Sequence, residues 1–311
     1  MGPMNKTSKI FLGLILSATL SGCVSLRTYD EVLEADDVGT FVEVEGQKVH
    51  VEVQGEGAPV VLVHGFGAST YSWRFVAPEL AKNYRTIAVD LTGFGYTERV
   101  PERERYTRSG QVNLILGVLD ALGEEQAHFV GHSYGGGLVA TLAHQHGERV
   151  RSLTLLDSTY PEWSTLRRRK MTLTLPLAPV LLRSVVLRRG FVAWTLKRTY
   201  EKDEIITPEV TEAYRERMRV EGALRSYLAL TLPKNGDADR AEVPLEEIEQ
   251  PVLAIWGADD KLTPLEEAKK GIPRFPNGRL EVLADTGHSP MEESPQEVVE
   301  LIRAFLADVS S

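Results

Sequence analysis

Apolar segments of strand length alternate with segments of helical period along most of this 311-residue chain. That alternation predicts an α/β fold, a mostly parallel sheet with helices on both faces. Two further observations agree. The residues with chemical potential fall just after predicted strands, at the carboxyl edge where open parallel sheets bind ligands. The composition, 42% hydrophobic and 25% charged, is that of a globular chain with a sizeable core.

Residues 40–44 and 48–53 alternate apolar and polar side chains around Glu45-Gly46-Gln47, which predicts a hairpin that opens the sheet as an antiparallel pair. Strands at 59–63, 86–90, 127–130 and 152–156 follow, with helices near 71–82, 109–122 and 136–146 between them. Strands at 251–256 and 280–283 complete the sheet. The long stretch 158–250 is not explained by the alternation.

Gly131-His132-Ser133-Tyr134-Gly135 joins the strand 127–130 to the helix after it. So short a turn forces its middle residue into strained geometry that the flanking glycines permit, and Ser133 is displayed as a nucleophile. Alone, the pattern also suits a flexible glycine loop; strand before, helix after and three further motifs in order make it specific. The first is His64-Gly65-Phe66-Gly67 after the strand 59–63. Acyl transfer needs backbone N–H groups aimed at the oxyanion of its tetrahedral intermediate, and the N–H groups of Phe66 and Tyr134 are the candidates. A tight turn would show the same glycines. The second is the loop Gly257-Ala258-Asp259-Asp260-Lys261-Leu262-Thr263-Pro264, and the third is Gly287-His288-Ser289-Pro290. Serine is a weak nucleophile, so a histidine must take its proton and a carboxylate must hold the imidazole.

Together, in the order serine, acid, histidine, these motifs resemble the α/β-hydrolase fold superfamily of esterases, lipases and dehalogenases, over roughly residues 38–309. The family's acid loop reads G-x-x-D-x-x-x-P and selects Asp260. Asp259 and Asp157, the latter at the other position from which relatives supply the acid, remain alternatives, and Asp285 shapes the histidine loop. Asp90-Leu91-Thr92-Gly93-Phe94-Gly95-Tyr96-Thr97 resembles a family loop that shapes the site wall. His132 is expected to pack beside the nucleophile without titrating; His50, His128, His144 and His146 carry no motif.

The resemblance implies hydrolysis of a small or lipid-like carboxylic ester through Ser133, Asp260 and His288, with no metal or organic cofactor. C–C bond hydrolysis or perhydrolysis on the same triad is an alternative, and a non-catalytic envelope lipoprotein that binds lipid or protein is another. Relatives that open epoxides or remove halogen place a carboxylate where this chain has Ser133. The resemblance also implies a helical cap over 158–250, between core segments 38–157 and 251–311.

A formal charge of −9 speaks against general nucleic-acid binding. Lys6 and Lys9 precede a short apolar run that ends in Leu20-Ser21-Gly22-Cys23. This is the form of an export signal over 1–22, too short to span a bilayer. Its end resembles the bacterial lipobox, which implies a lipid anchor at Cys23, the only cysteine, and a cell-envelope location, the outer membrane in a diderm organism. Residues 23–37 then read as a solvated tether. Within 158–200, basic residues such as Arg167, Arg168, Arg169 and Arg189 interleave with Trp163, Phe191 and Trp194. They form either the wet face of an amphipathic cap or a surface for anionic lipid.

Overall fold

The strands at the centre of the sheet are almost wholly buried, and Pro59–Val63 is an apolar run without a polar break. The computed structural model describes residues 25–35, 38–159, 187–231 and 243–309. Its strands are β1 (Thr40–Val44), β2 (Gln47–Gln54), β3 (Pro59–Val63), β4 (Arg85–Val89), β5 (Ala127–His132), β6 (Val150–Leu156), β7 (Val252–Gly257) and β8 (Gly278–Leu283). They lie in the order β1-β2-β4-β3-β5-β6-β7-β8. β1 and β2 pair antiparallel, as do β2 and β4, and the remaining pairs are parallel. The predicted hairpin and strand sequence are therefore present, and the sheet is that of the predicted class.

Alternate residues of one strand enter different cores, as a pleat requires. Val61 and Val63 of β3 pack with residues of α3 (Arg108–Leu122) and α4 (Tyr134–Gln145) on one face. Val60 and Leu62 pack on the other face with α2 (Ala77–Leu80) and α10 (Pro295–Val309). Both flanks of the central strands are covered, so their polar groups are paired within the sheet and the carboxyl ends alone open toward a site.

The helix expected near 71–82 is broken. A 3-10 turn, Thr70–Trp73, starts on a Ser69 cap, and α2 restarts the chain at Ala77. Pro78 has no N–H with which to continue a ladder from the preceding turn, so it sits in the first turn of a new helix.

The solvated tether expected over 23–37 is also corrected in its described part. Thr28 and Glu31 form a reciprocal capping box at the start of α1 (Tyr29–Leu33). Val32 is fully buried with Val38, Tyr96 and Val220. The N–H of Arg27 donates to Arg219 O at 2.9 Å and the N–H of Glu221 donates to Arg27 O at 2.9 Å. Asp30, Glu31 and Glu34 are exposed, whereas Val32 is the apolar contact that docks the segment.

Between β6 and β7, the described part of the insert holds α5 (Arg189–Leu196), α6 (Pro208–Arg217) and α7 (Ala223–Thr231). α5 and α6 share a small core of Val192, Leu196, Tyr200, Val210 and Tyr214, packed against Ala68 and Tyr71 of the main body. Arg189 pairs with Glu212 and Lys197 with Asp203 on its surface. Cys23, Trp163, Arg167, Arg168 and Arg169 lie outside the described residues. Among the described residues no helix is long and apolar enough to cross a membrane. After β7 come α8 (Leu265–Gly271), β8, and the short helix α9 (Pro290–Glu293), which leads into α10.

Candidate active site

Ser133 joins β5 to α4 with φ 50° and ψ −115°, the strained geometry predicted for it. Helix and strand can meet this closely only because Gly135 has no side chain: a Cβ there would stand 2.4 Å from Val63 O. The elbow is held from outside by Thr159, whose N–H donates to Ser133 O at 3.0 Å.

His288 and Asp260 arrive from the loops after β8 and β7. His288 Nε2 lies 2.9 Å from Ser133 Oγ, and its Nδ1 lies 2.7 Å from Asp260 Oδ2. The three predicted residues therefore form one connected line, each 9% exposed or less. Asp260 Oδ1 accepts the N–H groups of Leu262 (2.7 Å) and Thr263 (3.0 Å), and Oδ2 accepts the Thr263 hydroxyl at 2.5 Å. Burial pushes this carboxyl up, but the bond and charge of His288 and the donors around it outweigh burial and hold it below the usual carboxylate range.

The two alternative acids are placed differently. Asp259 is exposed. Asp157 is fully buried at the end of β6, with φ 39° and the Gly257 N–H shared between its carboxyl oxygens. Burial, with the adjacent Asp260 charge, raises Asp157 well above the ordinary carboxyl range, whereas Asp260 is held below it, so of the two Asp260 is the carboxyl suited to face His288 as an anion. Ligand atoms of Asp157, Asp260 and His288 lie within 4.8 Å of one another, a grouping that could hold a cation. The His288–Asp260 bond occupies two of those atoms.

The loop 64–67 lies against the elbow. A Cβ on Gly65 would stand 3.1 Å from Ser133 Cβ and 2.7 Å from His132 Nδ1. His64 fixes this loop: its Nδ1–H donates to Gly65 O at 2.7 Å while its Nε2 accepts the Leu91 N–H at 3.1 Å. Burial lowers its titration, so that tautomer stays neutral. Gly65, the residue before Phe66, therefore lies against Ser133, and Tyr134 opens α4, where first-turn amides lack intrahelical partners and point along the helix axis. This arrangement can polarise a carbonyl held over Ser133. His132 Nε2 donates to His288 O at 2.6 Å. Burial, with the nearby His288 charge, lowers His132 to about 3, so it is neutral near pH 7, as expected.

Three rings cluster at the loop 64–67. Phe66 meets Phe94 at 5.2 Å and Tyr227 at 5.6 Å between centroids, and Phe94 meets Tyr227 at 5.5 Å, all edge-on. The insert supplies Tyr227, so it contributes one ring of this cluster. Asp285, expected to shape the histidine loop, has φ 49° at the turn out of β8. Asp90 and Glu293 were not assigned individual roles from the sequence: each accepts several N–H groups from loops far apart in the chain, and backbone donors leave no motif.

The family described as alpha/beta hydrolase fold matches residues 58–295. A 2-hydroxymuconate semialdehyde hydrolase of Pseudomonas putida is 30% identical over 285 residues, 89% of this chain and 97% of that protein. A pimeloyl-acyl-carrier-protein methyl ester esterase of Aeromonas hydrophila is 31% identical over 277 residues, 83% of this chain and 99% of that protein. The structure of a meta-cleavage product hydrolase from Pseudomonas fluorescens superposes with a TM-score of 0.70 at 27% identity, covering 87% of this chain and 98% of that one. With this sheet order, this elbow and a match over most of its length, the chain belongs to the α/β-hydrolase fold family and is a hydrolase of that fold.

Proposed function

We propose that the chain hydrolyses carboxylic esters of small or lipid-like substrates through an acyl-enzyme. The observation that carries this reading is the line from Asp260 through His288 to Ser133 beside the loop of Phe66. Ser133 Oγ attacks the ester carbonyl as His288 Nε2 takes its proton, and the N–H groups of Phe66 and Tyr134 receive the oxyanion. His288 then protonates the departing alkoxide, which leaves the acyl group on Ser133. Water, deprotonated by His288, attacks that acyl group, and His288 returns the proton to the departing Ser133 Oγ as the acid is released. Asp260 keeps the imidazole oriented with Nδ1–H toward the carboxylate. No step calls for a metal or an organic cofactor.

The rings of Phe66, Phe94 and Tyr227 suit an apolar acyl chain. A second reading, C–C bond hydrolysis on the same residues, is favoured by the semialdehyde hydrolase among the relatives. Rates on p-nitrophenyl esters from acetate to laurate, beside 2-hydroxymuconate semialdehyde, separate the two. Ester turnover that is lost in Ser133→Ala is the expected result. Turnover of the semialdehyde with every ester untouched would replace the first reading by the second.

We also propose that Cys23 receives a diacylglyceryl group and becomes the amino terminus, which would place the protein in the cell envelope. Leu20-Ser21-Gly22-Cys23 supports this, and the docking of Ser25 by Arg219 adds a consequence. A single residue, Val24, would separate the anchor from a segment held on the insert, so the insert would lie close to the lipid. Intact mass of protein taken from native membranes is expected to show cleavage before Cys23 and the added lipid; an unmodified thiol would overturn the anchor.

A further inference from the structure

We infer that Glu293 is a positioning residue for His288, a clasp that ties the histidine loop to the insert so that the triad is aligned while the insert is seated. The inference rests on the catalytic reading above. Glu293 closes α9, is 6% exposed, and is outside the line of triad hydrogen bonds. Its Oε1 accepts the N–H groups of Gly287 (3.1 Å) and Ser289 (3.2 Å), the two residues that bracket His288. Its Oε2 accepts the N–H groups of Glu201 (2.7 Å) and Lys202 (3.1 Å) from the insert. One carboxylate thus takes four backbone donors, two from each body.

Other contacts at the same seam act in the same direction. The His288 N–H itself donates to Thr199 O of the insert at 2.8 Å. Lys202 Nζ returns across the seam to Glu293 O at 2.9 Å and Ser294 Oγ at 3.1 Å. Backbone groups of His288 are therefore held by the insert on the N–H side and by His132 of the elbow on the carbonyl side. Among the described residues, Glu293 is the side chain whose carboxylate accepts from the amides of both Gly287 and Glu201. Without the carboxylate, four buried or half-buried N–H groups lose a charged acceptor, and the loop that carries the imidazole loses its fixed distance from the insert. A displacement of ~1 Å at the base can cost ~100-fold in rate.

The test uses the full chain and a small soluble ester. Glu293→Gln offers one acceptor oxygen and one donor amide where two acceptors stood, so one pair of N–H groups must lose its partner. The expected result, read well below the variant's melting temperature, is a fall in kcat of ~10–100-fold with KM changed by less than ~3-fold. The downfield proton resonance of His288 Nδ1 should broaden or move, which a purely structural loss would not produce in the folded fraction. Lys202→Ala, which leaves the carboxylate in place and removes one bond across the seam, should lower kcat in the same direction by a smaller factor. It should add little in the Glu293→Gln background. Unchanged kcat and an unchanged resonance in folded Glu293→Gln would overturn the clasp; if that variant does not fold, unchanged kcat in Lys202→Ala overturns it. Ser133→Ala run in parallel separates this failure from failure of the catalytic reading, because an active Ser133→Ala would remove the triad itself.

Discussion

Ser133→Ala and His288→Ala are each expected to lower kcat/KM on an ester by ~10⁴-fold or more, with little change in folding. Either substitution removes one end of a proton path whose two hydrogen bonds are 2.9 and 2.7 Å long. Losing both should cost little more than losing one, because the residues act as a unit. The acid behaves differently here, since a second carboxyl stands beside it. Burial is the larger cause that raises Asp157 and remains in Asp260→Asn, but the second cause, the neighbouring charge, is gone, so Asp157 should come part of the way back toward an ordinary carboxyl and supply part of the missing negative charge. The single variant should therefore keep more activity than His288→Ala, and Asp157→Asn in the same chain should remove that residue of activity. Asp259→Asn, at an exposed position, should stay near the wild-type rate. Steady-state rates on one ester across the six variants check the order. A severe Asp259→Asn with a silent Asp260→Asn would reverse the assignment of the acid.

Strands and elbow were legible because each is written locally. β3 and β7 are short apolar runs with turn residues at both ends, and an unbroken run of that length is buried on both faces. The three motif loops were legible for a related reason: each follows its strand directly, so the sheet brings Ser133, Asp260 and His288 together without help from the intervening chain. What stayed hidden depends on contacts between distant segments. Thr28-Tyr29-Asp30-Glu31 carries a capping-box pattern, yet its acidic residues read as solvation until Val220 is seen to cover Val32. Pro78 marked the break in the helix expected near 71–82, and the apolar spacing around it masked that signal. Glu293 and Asp90 take N–H groups from loops far apart in the chain, and an amide donor has no residue type by which a sequence could show it.

Asp90 gives the second large expected effect, on stability. It is fully buried after β4, where Oδ1 accepts the Thr70 N–H at 2.7 Å and Oδ2 accepts the Tyr96 N–H at 2.8 Å and meets His50 Nδ1 at 2.7 Å. Asp90→Asn turns one of those oxygens into a donor that faces another N–H. Hydrogen bonds to a charged group are worth ~1.5–3 kcal/mol each, so the loss should be about 3 kcal/mol or more by urea unfolding near neutral pH. The same change should reach the loop 64–67, because His64, which is bonded to Gly65 O, has its Nε2 4.0 Å from Asp90 Oδ1. The dependence on pH has a definite sign. Burial alone would raise this carboxyl, but the charge and hydrogen bond of His50 and the Tyr96 N–H hold it below the usual range. A carboxyl depressed in the folded state stabilises fully above its unfolded value of about 4, and that contribution fades as the pH falls below it. The gap in unfolding free energy between wild type and Asp90→Asn should therefore be widest at neutral pH and narrow in acid. A gap of equal size at neutral pH and well below pH ~4 would show that Asp90 acts through its shape rather than its charge.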